Sequence, residues 1–284
     1  MIVYSRACVK SEALCYSSVK MILQPYGTTI AIAVLVGAYA ASVEARRRGL
    51  PAGRQGQDSQ LVWEALPWVL VFGLIGARAY HVLHLWEFYR ANPIQILFLW
   101  NGGLGIYGAI LGGVLGLWVY GRVRGFGEFR GFGRALDVIA PGIAIAQAIG
   151  RFANFFSQEL YGWPTKLPWG IYIKPENRFP GLENFEYFHP LFLYEALWCL
   201  LGFVVLVKMS KAKMSMAKPL TKRLLTGEVF LFYISFYALG RFFLEGMRIE
   251  SWMIGGVRVA QVLSILIIFG SIILGVLRRR GKAC

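Results

Sequence analysis

The chain has 284 residues, of which 57% are apolar and 16% charged, against about 45–50% and 25% in an ordinary soluble domain. With a mean hydropathy of +0.53 and its apolar residues gathered into long runs, it is not a disordered chain, a secreted disulfide scaffold or an ordinary cytosolic enzyme. A net charge of +15 would point to nucleic acid in a soluble protein; beside apolar runs it is first a question of which loops carry it.

The expected fold is all-α: a polytopic integral membrane protein with seven transmembrane helices and an extracytoplasmic loop or cap region. The apolar segments are Tyr26–Val43, Leu61–Leu85, Ile94–Tyr120, Ala135–Gly150, Pro190–Val207, Glu228–Leu244 and Val257–Leu277, each long enough to cross about 30 Å of hydrocarbon with some tilt. Eighteen of the thirty basic residues fall on alternate loops. These are Arg46, Arg47, Arg48 and Arg54; Arg122, Arg124, Arg130 and Arg134; Lys208, Lys211, Lys213, Lys218, Lys222 and Arg223; and Arg278, Arg279, Arg280 and Lys282. That alternation requires seven spans with the N-terminus outside and the C-terminus in the cytoplasm. Ala38-Tyr39-Ala40 has the form of a signal cleavage site, but Arg46–Arg48 read better as a stop-transfer flank. Residues 1–20 are polar and patternless, expected as a poorly structured extension before a membrane domain of 21–284, with Met21 a candidate start. Cys8, Cys15, Cys199 and Cys284 form no C-x-x-C pair, and nothing completes a metal site with His81 and His84, so no metal or disulfide is expected.

An ionisable residue within a span costs roughly 2.5–3.5 kcal/mol, so each needs a reason. In the second span, Arg78 is expected to add positive potential, and His81 and His84 to lie at the interface. The third opens Trp100-Asn101-Gly102-Gly103-Leu104-Gly105-Ile106-Tyr107-Gly108, too rich in glycine for a stable helix start. An irregular, re-entrant backbone is expected there, with Tyr107 its one ionisable side chain. Gly108, Gly112 and Gly116 at i, i+4 would let another helix approach closely. Asp137 is expected as a structural partner near the cytoplasmic end of the fourth span, which Pro141 should kink. The end of that span carries Arg151, Asn154 and Glu159. The loop 151–189, with four basic and four acidic residues, is long enough to form a cap. His189-Pro190 begins the fifth span, where Cys199 is read as packing. In the sixth, Tyr237, Arg241, Glu245 and Arg248 share one helical stripe.

By topology both arginine clusters lie at the outer side. Arginine's planar fork suits phosphate oxygens, so a phosphate-bearing substrate from the outer leaflet follows. Broken helices with charges at depth also describe a secondary transporter or a lipid-binding protein for an anionic substrate, although no inverted repeat is visible. A purely structural scaffold leaves the polar stripe without purpose.

The segment Gly150–Gly162 resembles the G-R-x-x-N-F-x-x-x-E-x-x-G signature of bacterial prolipoprotein diacylglyceryl transferases. The resemblance runs from about Tyr26-Gly27 to the last span. It includes Gly102-Gly103-Leu104-x-Ile106-Tyr107-Gly108, Asp137-x-x-Ala140-Pro141, His189-Pro190-x-x-x-Tyr194-Glu195 and the Tyr237–Arg248 stripe. It implies transfer of the diacylglyceryl group of phosphatidylglycerol to the lipobox cysteine thiol of a preprolipoprotein, giving a thioether and glycerol phosphate, the first step of lipoprotein maturation. It implies an enzyme of the bacterial inner membrane needing neither metal nor other cofactor, and no nucleic acid. By that resemblance Arg151, Arg241 and Tyr107 are the expected catalytic residues. Arg151, Asn154, Glu159, Gly162, Tyr237, Arg241, Glu245, Arg248 and Tyr26 are expected to bind substrate, and Asp137, Gly102, Gly103 and Gly108 to be structural. Many family members have His where this chain has Tyr107, a residue proposed as base, and others have Tyr. The change leaves the identity of the base open.

Overall fold

The computed structural model describes residues 12–48, 60–99, 102–124, 129–214 and 225–280. Arg54, Trp100, Asn101, Lys218, Lys222, Arg223 and Lys282 lie outside the described residues, as do residues 1–11. In chain order the elements are α1 (Glu12–Arg48), α2 (Gln60–His84), α3 (Trp86–Ala91), α4 (Ile106–Val123), α5 (Phe129–Gly150), α6 (Ala153–Ser157), β1 (Ile171–Tyr172), β2 (Tyr187–Phe188), α7 (Leu191–Met214), α8 (Glu228–Glu245), β3 (Met253–Ile254), β4 (Val257–Arg258) and α9 (Val259–Arg280).

Among the described residues six helical stretches are long and apolar enough to cross a membrane: Pro25–Arg48, Gln60–His84, Ile106–Val123, Phe132–Ser157, Leu191–Lys211 and Val259–Arg280. Helix α8, the expected sixth span, is not one of them, because Glu228, Arg241 and Glu245 fall within its 18 residues. Helix α1 already includes residues 12–20, part of the stretch read as patternless. Helix α5 continues through Pro141.

The third span is a correction. It was expected from Ile94, but a 3-10 turn occupies Pro93–Leu97 and the helix begins only at Ile106. Gly102 and Gly103 take φ of +81° and +77°, the left-handed region that right-handed helices exclude. The irregular, glycine-rich backbone expected before Tyr107 is present.

The chain divides into two compact units, one of residues 38–139 and the other of residues up to Gly37 and from Ala140 onward. In the first, α2 and α4 meet along a seam of glycines. A Cβ at Gly108 would overlap the Gly76 carbonyl, one at Gly112 the Phe72 carbonyl, and one at Gly116 would approach the Trp68 carbonyl. The i, i+4 glycines of α4 therefore face i, i+4 carbonyls of α2, the close approach their spacing predicts. Ala65, Leu117 and Tyr120 form a core beside this seam, with Phe132, Leu136 and Ile139 against it. The Tyr120 hydroxyl donates to Glu64 at 3.0 Å, and Arg124 pairs with the same carboxylate. Asp137 is buried and ion-paired to Arg48 at 3.4 Å, which also holds Glu44 at 2.6 Å.

In the second unit Ala140, Ala144, Leu206, Val229 and Tyr233 form the core. Trp198 of α7 stacks on Phe236 of α8 at 4.5 Å and donates its indole N–H to the Phe236 carbonyl at 2.9 Å. Glu228 anchors α9 through Arg279 at 2.6 Å. Between α5 and α7, strands β1 and β2 pair antiparallel, Ile171 opposite Phe188, over a small core of Tyr161, Ile173 and Phe188. The Tyr161 hydroxyl donates to the Asn177 carbonyl at 2.7 Å and accepts from the Phe179 N–H at 2.8 Å. Strands β3 and β4 form a hairpin whose Gly255-Gly256 turn takes positive φ at both positions, as a tight hairpin requires.

Candidate active site

Arg151 stands one residue past α5 and keeps the helical pattern, its N–H bonded to the Gln147 carbonyl at 3.1 Å. Its Nε meets Glu195 Oε2 of α7 at 2.8 Å. The other oxygen of Glu195 meets Arg241 Nη1 of α8 at 3.3 Å. Arg241 Nη2 reaches Glu245 Oε2 at 2.8 Å, the i, i+4 pair expected from spacing. Glu245 Oε2 also lies 3.9 Å from Arg248 Nη1. Five charges from the end of α5, from α7, from α8 and from the turn after α8 thus alternate in a chain with one positive charge in excess.

Exposure decides what that chain offers a ligand. The carboxylate side chains are only 6% and 2% exposed, while those of Arg151, Arg241 and Arg248 are 22–25% exposed. The glutamates form the floor and the guanidinium groups the face, so the accessible surface is cationic. Removed from bulk water, these charges act more strongly on an anion than surface arginines would.

The residues around the chain hold it in register. Tyr237, one turn before Arg241, accepts from Arg151 Nη2 at 3.5 Å. Gly162 bridges to Arg248, and its N–H donates to the His189 carbonyl at 2.9 Å. A Cβ on Gly162 would stand 3.0 Å from the Met247 carbonyl and 3.1 Å from His189 Cβ, so glycine lets the two segments meet. Asn154 takes its N–H to the Arg151 carbonyl and receives the Glu159 N–H on its own carbonyl, both at 3.1 Å. Glu159 is exposed. On either side of Glu159, Gln158 and Leu160 hold left-handed φ of 52° and 55°, which costs of order 1–3 kcal/mol per non-glycine residue. The Gln158 side chain fastens the turn by accepting from the Lys174 N–H at 3.1 Å and Asn177 at 2.9 Å. Tyr26 of α1 lies within electrostatic reach of Glu159 and Arg151.

Arg151, Asn154, Glu159, Gly162, Tyr237, Arg241, Glu245, Arg248 and Tyr26 therefore all fall in one unit. Tyr107 belongs to the other, half-exposed, its ring 5.8 Å from that of Tyr80. Arg78, expected to add positive potential, binds the backbone before α4. It is buried and donates to backbone carbonyls through all five N–H groups, which leaves it no donor for an anion. Sequence reasoning gave Glu195 no role, yet it joins the two arginine clusters; a carboxylate one helical turn into the fifth span was the available signal. Cys199, read as packing, is buried one turn beyond Glu195 and within electrostatic reach of Arg151.

The sequence model for the family described as prolipoprotein diacylglyceryl transferase matches residues 15–277. A protein of Trichormus variabilis named phosphatidylglycerol–prolipoprotein diacylglyceryl transferase is 39% identical over 240 residues, covering 84% of this chain and 80% of that protein. Proteins of the same name from Fervidobacterium nodosum and Listeria innocua are 40% and 38% identical. They cover 88% and 89% of this chain, and 79% and 85% of their own lengths. The chain belongs to the prolipoprotein diacylglyceryl transferase family.

Proposed function

We propose that this chain, as a member of that family, transfers the diacylglyceryl group of phosphatidylglycerol to the lipobox cysteine thiol of preprolipoproteins. The observation that carries the reading is the cationic face of Arg151, Arg241 and Arg248 laid over buried Glu195 and Glu245. The cysteine sulfur, as thiolate, attacks the glyceryl carbon that bears the phosphate. The C–O bond breaks, its electron pair leaves with glycerol phosphate, and a thioether remains. The leaving phosphate gains a second negative charge as that bond breaks, which the arginines stabilise. Asn154, Glu159, Gly162, Tyr237 and Tyr26 shape the headgroup site.

The thiol proton needs an acceptor, since a free thiol with a pKa near 8.5 is mostly protonated at neutral pH. Tyr107 is our candidate. The enzyme sits in the bacterial cytoplasmic membrane with α8 as the sixth of seven spans. Its N-terminus is outside and its C-terminus inside, and the 151–189 segment caps the outer face. Residues 1–20 lie outside the working domain.

Purified protein incubated with headgroup-labelled phosphatidylglycerol and a lipobox peptide tests the reading. Release of labelled glycerol phosphate together with a thioether on the peptide cysteine is expected. Lipid binding or movement without either product would overturn it.

A further inference from the structure

Arg78 sits on the turn of α2 that faces the glycine-rich segment before α4. Its Nε donates to the Ile96 carbonyl at 2.9 Å, Nη1 to Gly102 at 2.7 Å and Gly103 at 3.1 Å, and Nη2 to Phe98 at 3.2 Å and to Gln95. The Tyr89 ring closes the cage, 5.2 Å from the guanidinium carbon. A guanidinium has five N–H groups in one plane, and every one is used; an ammonium has three and no plane. Its charge is met by carbonyl dipoles, with no carboxylate partner among the described residues.

The same turn makes two further contacts to that segment. Ala77 accepts the Gly105 N–H at 3.0 Å. Tyr80 packs against Tyr107, and a Cβ at Gly105 or Gly108 would collide with its side chain. Residues 77–80 therefore set where the chain enters α4, and Tyr107 is the second residue of α4. An arginine used only to join helices would pair with a side chain of another helix; this one binds the irregular backbone leading to Tyr107.

We propose that Arg78 is a positioning residue for diacylglyceryl transfer. By filling the carbonyls of Gln95, Ile96, Phe98, Gly102 and Gly103 it fixes the direction in which α4 presents the Tyr107 hydroxyl. The proposal rests on the reading of Tyr107 as the proton acceptor, so the test separates the two. Turnover, the Michaelis constant for phosphatidylglycerol and thermal unfolding are measured for Arg78→Lys, Tyr107→Phe and the double variant. Tyr107→Phe is expected to lose about 10²-fold in kcat, the usual worth of a general base. Arg78→Lys is expected to lose about tenfold in kcat with little change in KM, and to add nothing in the Tyr107→Phe background, because residues acting as one unit are not additive.

A Tyr107→Phe variant within a few-fold of the parent overturns the Tyr107 reading and this proposal with it. A normal Tyr107→Phe loss with Arg78→Lys at parental turnover, or with additive losses in the double variant, overturns this proposal alone. If Arg78→Lys does not fold, Gly102→Ala serves. At φ +81° with open space around it, that change strains only the caged segment; lowered kcat with unchanged KM is expected, and parental turnover overturns the proposal.

Discussion

Glu195 and Arg241 meet at 3.3 Å across α7 and α8, although one came from a motif without an assigned role and the other from a predicted anion-binding stripe. Their pairing makes the two arginine clusters one site, because the second oxygen of Glu195 already holds Arg151. Glu195→Gln should therefore disturb both at once. Removing one member of a buried ion pair costs about 3–5 kcal/mol, and the partly exposed guanidinium groups put this case at the low end. A lowered melting temperature in detergent and reduced turnover are expected; unchanged values of both would show that the arginines hold their places unaided.

The arginines themselves discriminate charge from geometry. Arg151→Ala and Arg241→Ala should abolish transfer, with losses above about 10²-fold, comparable to removing one donor from an oxyanion site. Arg151→Lys and Arg241→Lys should recover little, since a point charge cannot span two oxygens. Membrane insertion and expression are the controls, and near-parental activity of both lysine variants would rule out a phosphate clamp.

The glycine seam makes a prediction about stability. Gly112→Ala puts a methyl group onto the Phe72 carbonyl, an overpacking expected to cost about 1–3 kcal/mol. Gly275→Ala in α9 meets nothing within 4 Å and should be neutral or stabilise by up to about 1 kcal/mol. Thermal unfolding of the pair checks both signs.

Single cysteines placed in the 151–189 and 208–223 segments test the orientation. An impermeant thiol reagent applied to intact cells should label the first and spare the second. Strong labelling of the second would reverse the topology and move the cationic face to the cytoplasmic side.

Local spacing showed part of this site and hid the rest for a physical reason. Arg241–Glu245 was legible because i, i+4 residues on one helix are neighbours. Arg151–Glu195 was not, because it joins two helices whose mutual rotation no periodicity encodes. The glycines of α4 announced their seam, since only close packing calls for such a repeat. The start of the third span was misread for a related reason. Residues 94–99 are mostly apolar, and hydropathy cannot tell a helix from irregular backbone whose carbonyls are satisfied elsewhere. Arg78 satisfies them, and irregular backbone in a membrane survives only where something does.

The glycine seam also governs how this part of the protein meets bilayers of different thickness. With carbonyls of α2 set directly against the glycine backbone of α4, sliding one helix along the other would drive backbone into backbone. The pair is a single beam, pinned by Glu64 with Tyr120 and Arg124 at one end and by the Ala77–Gly105 bond at the other. A thinner or thicker membrane has to be met by tilting both helices together or by bending the lipid around them. The spacing between the Tyr107 segment and the Tyr80 ring is therefore expected to be the same from one lipid composition to the next.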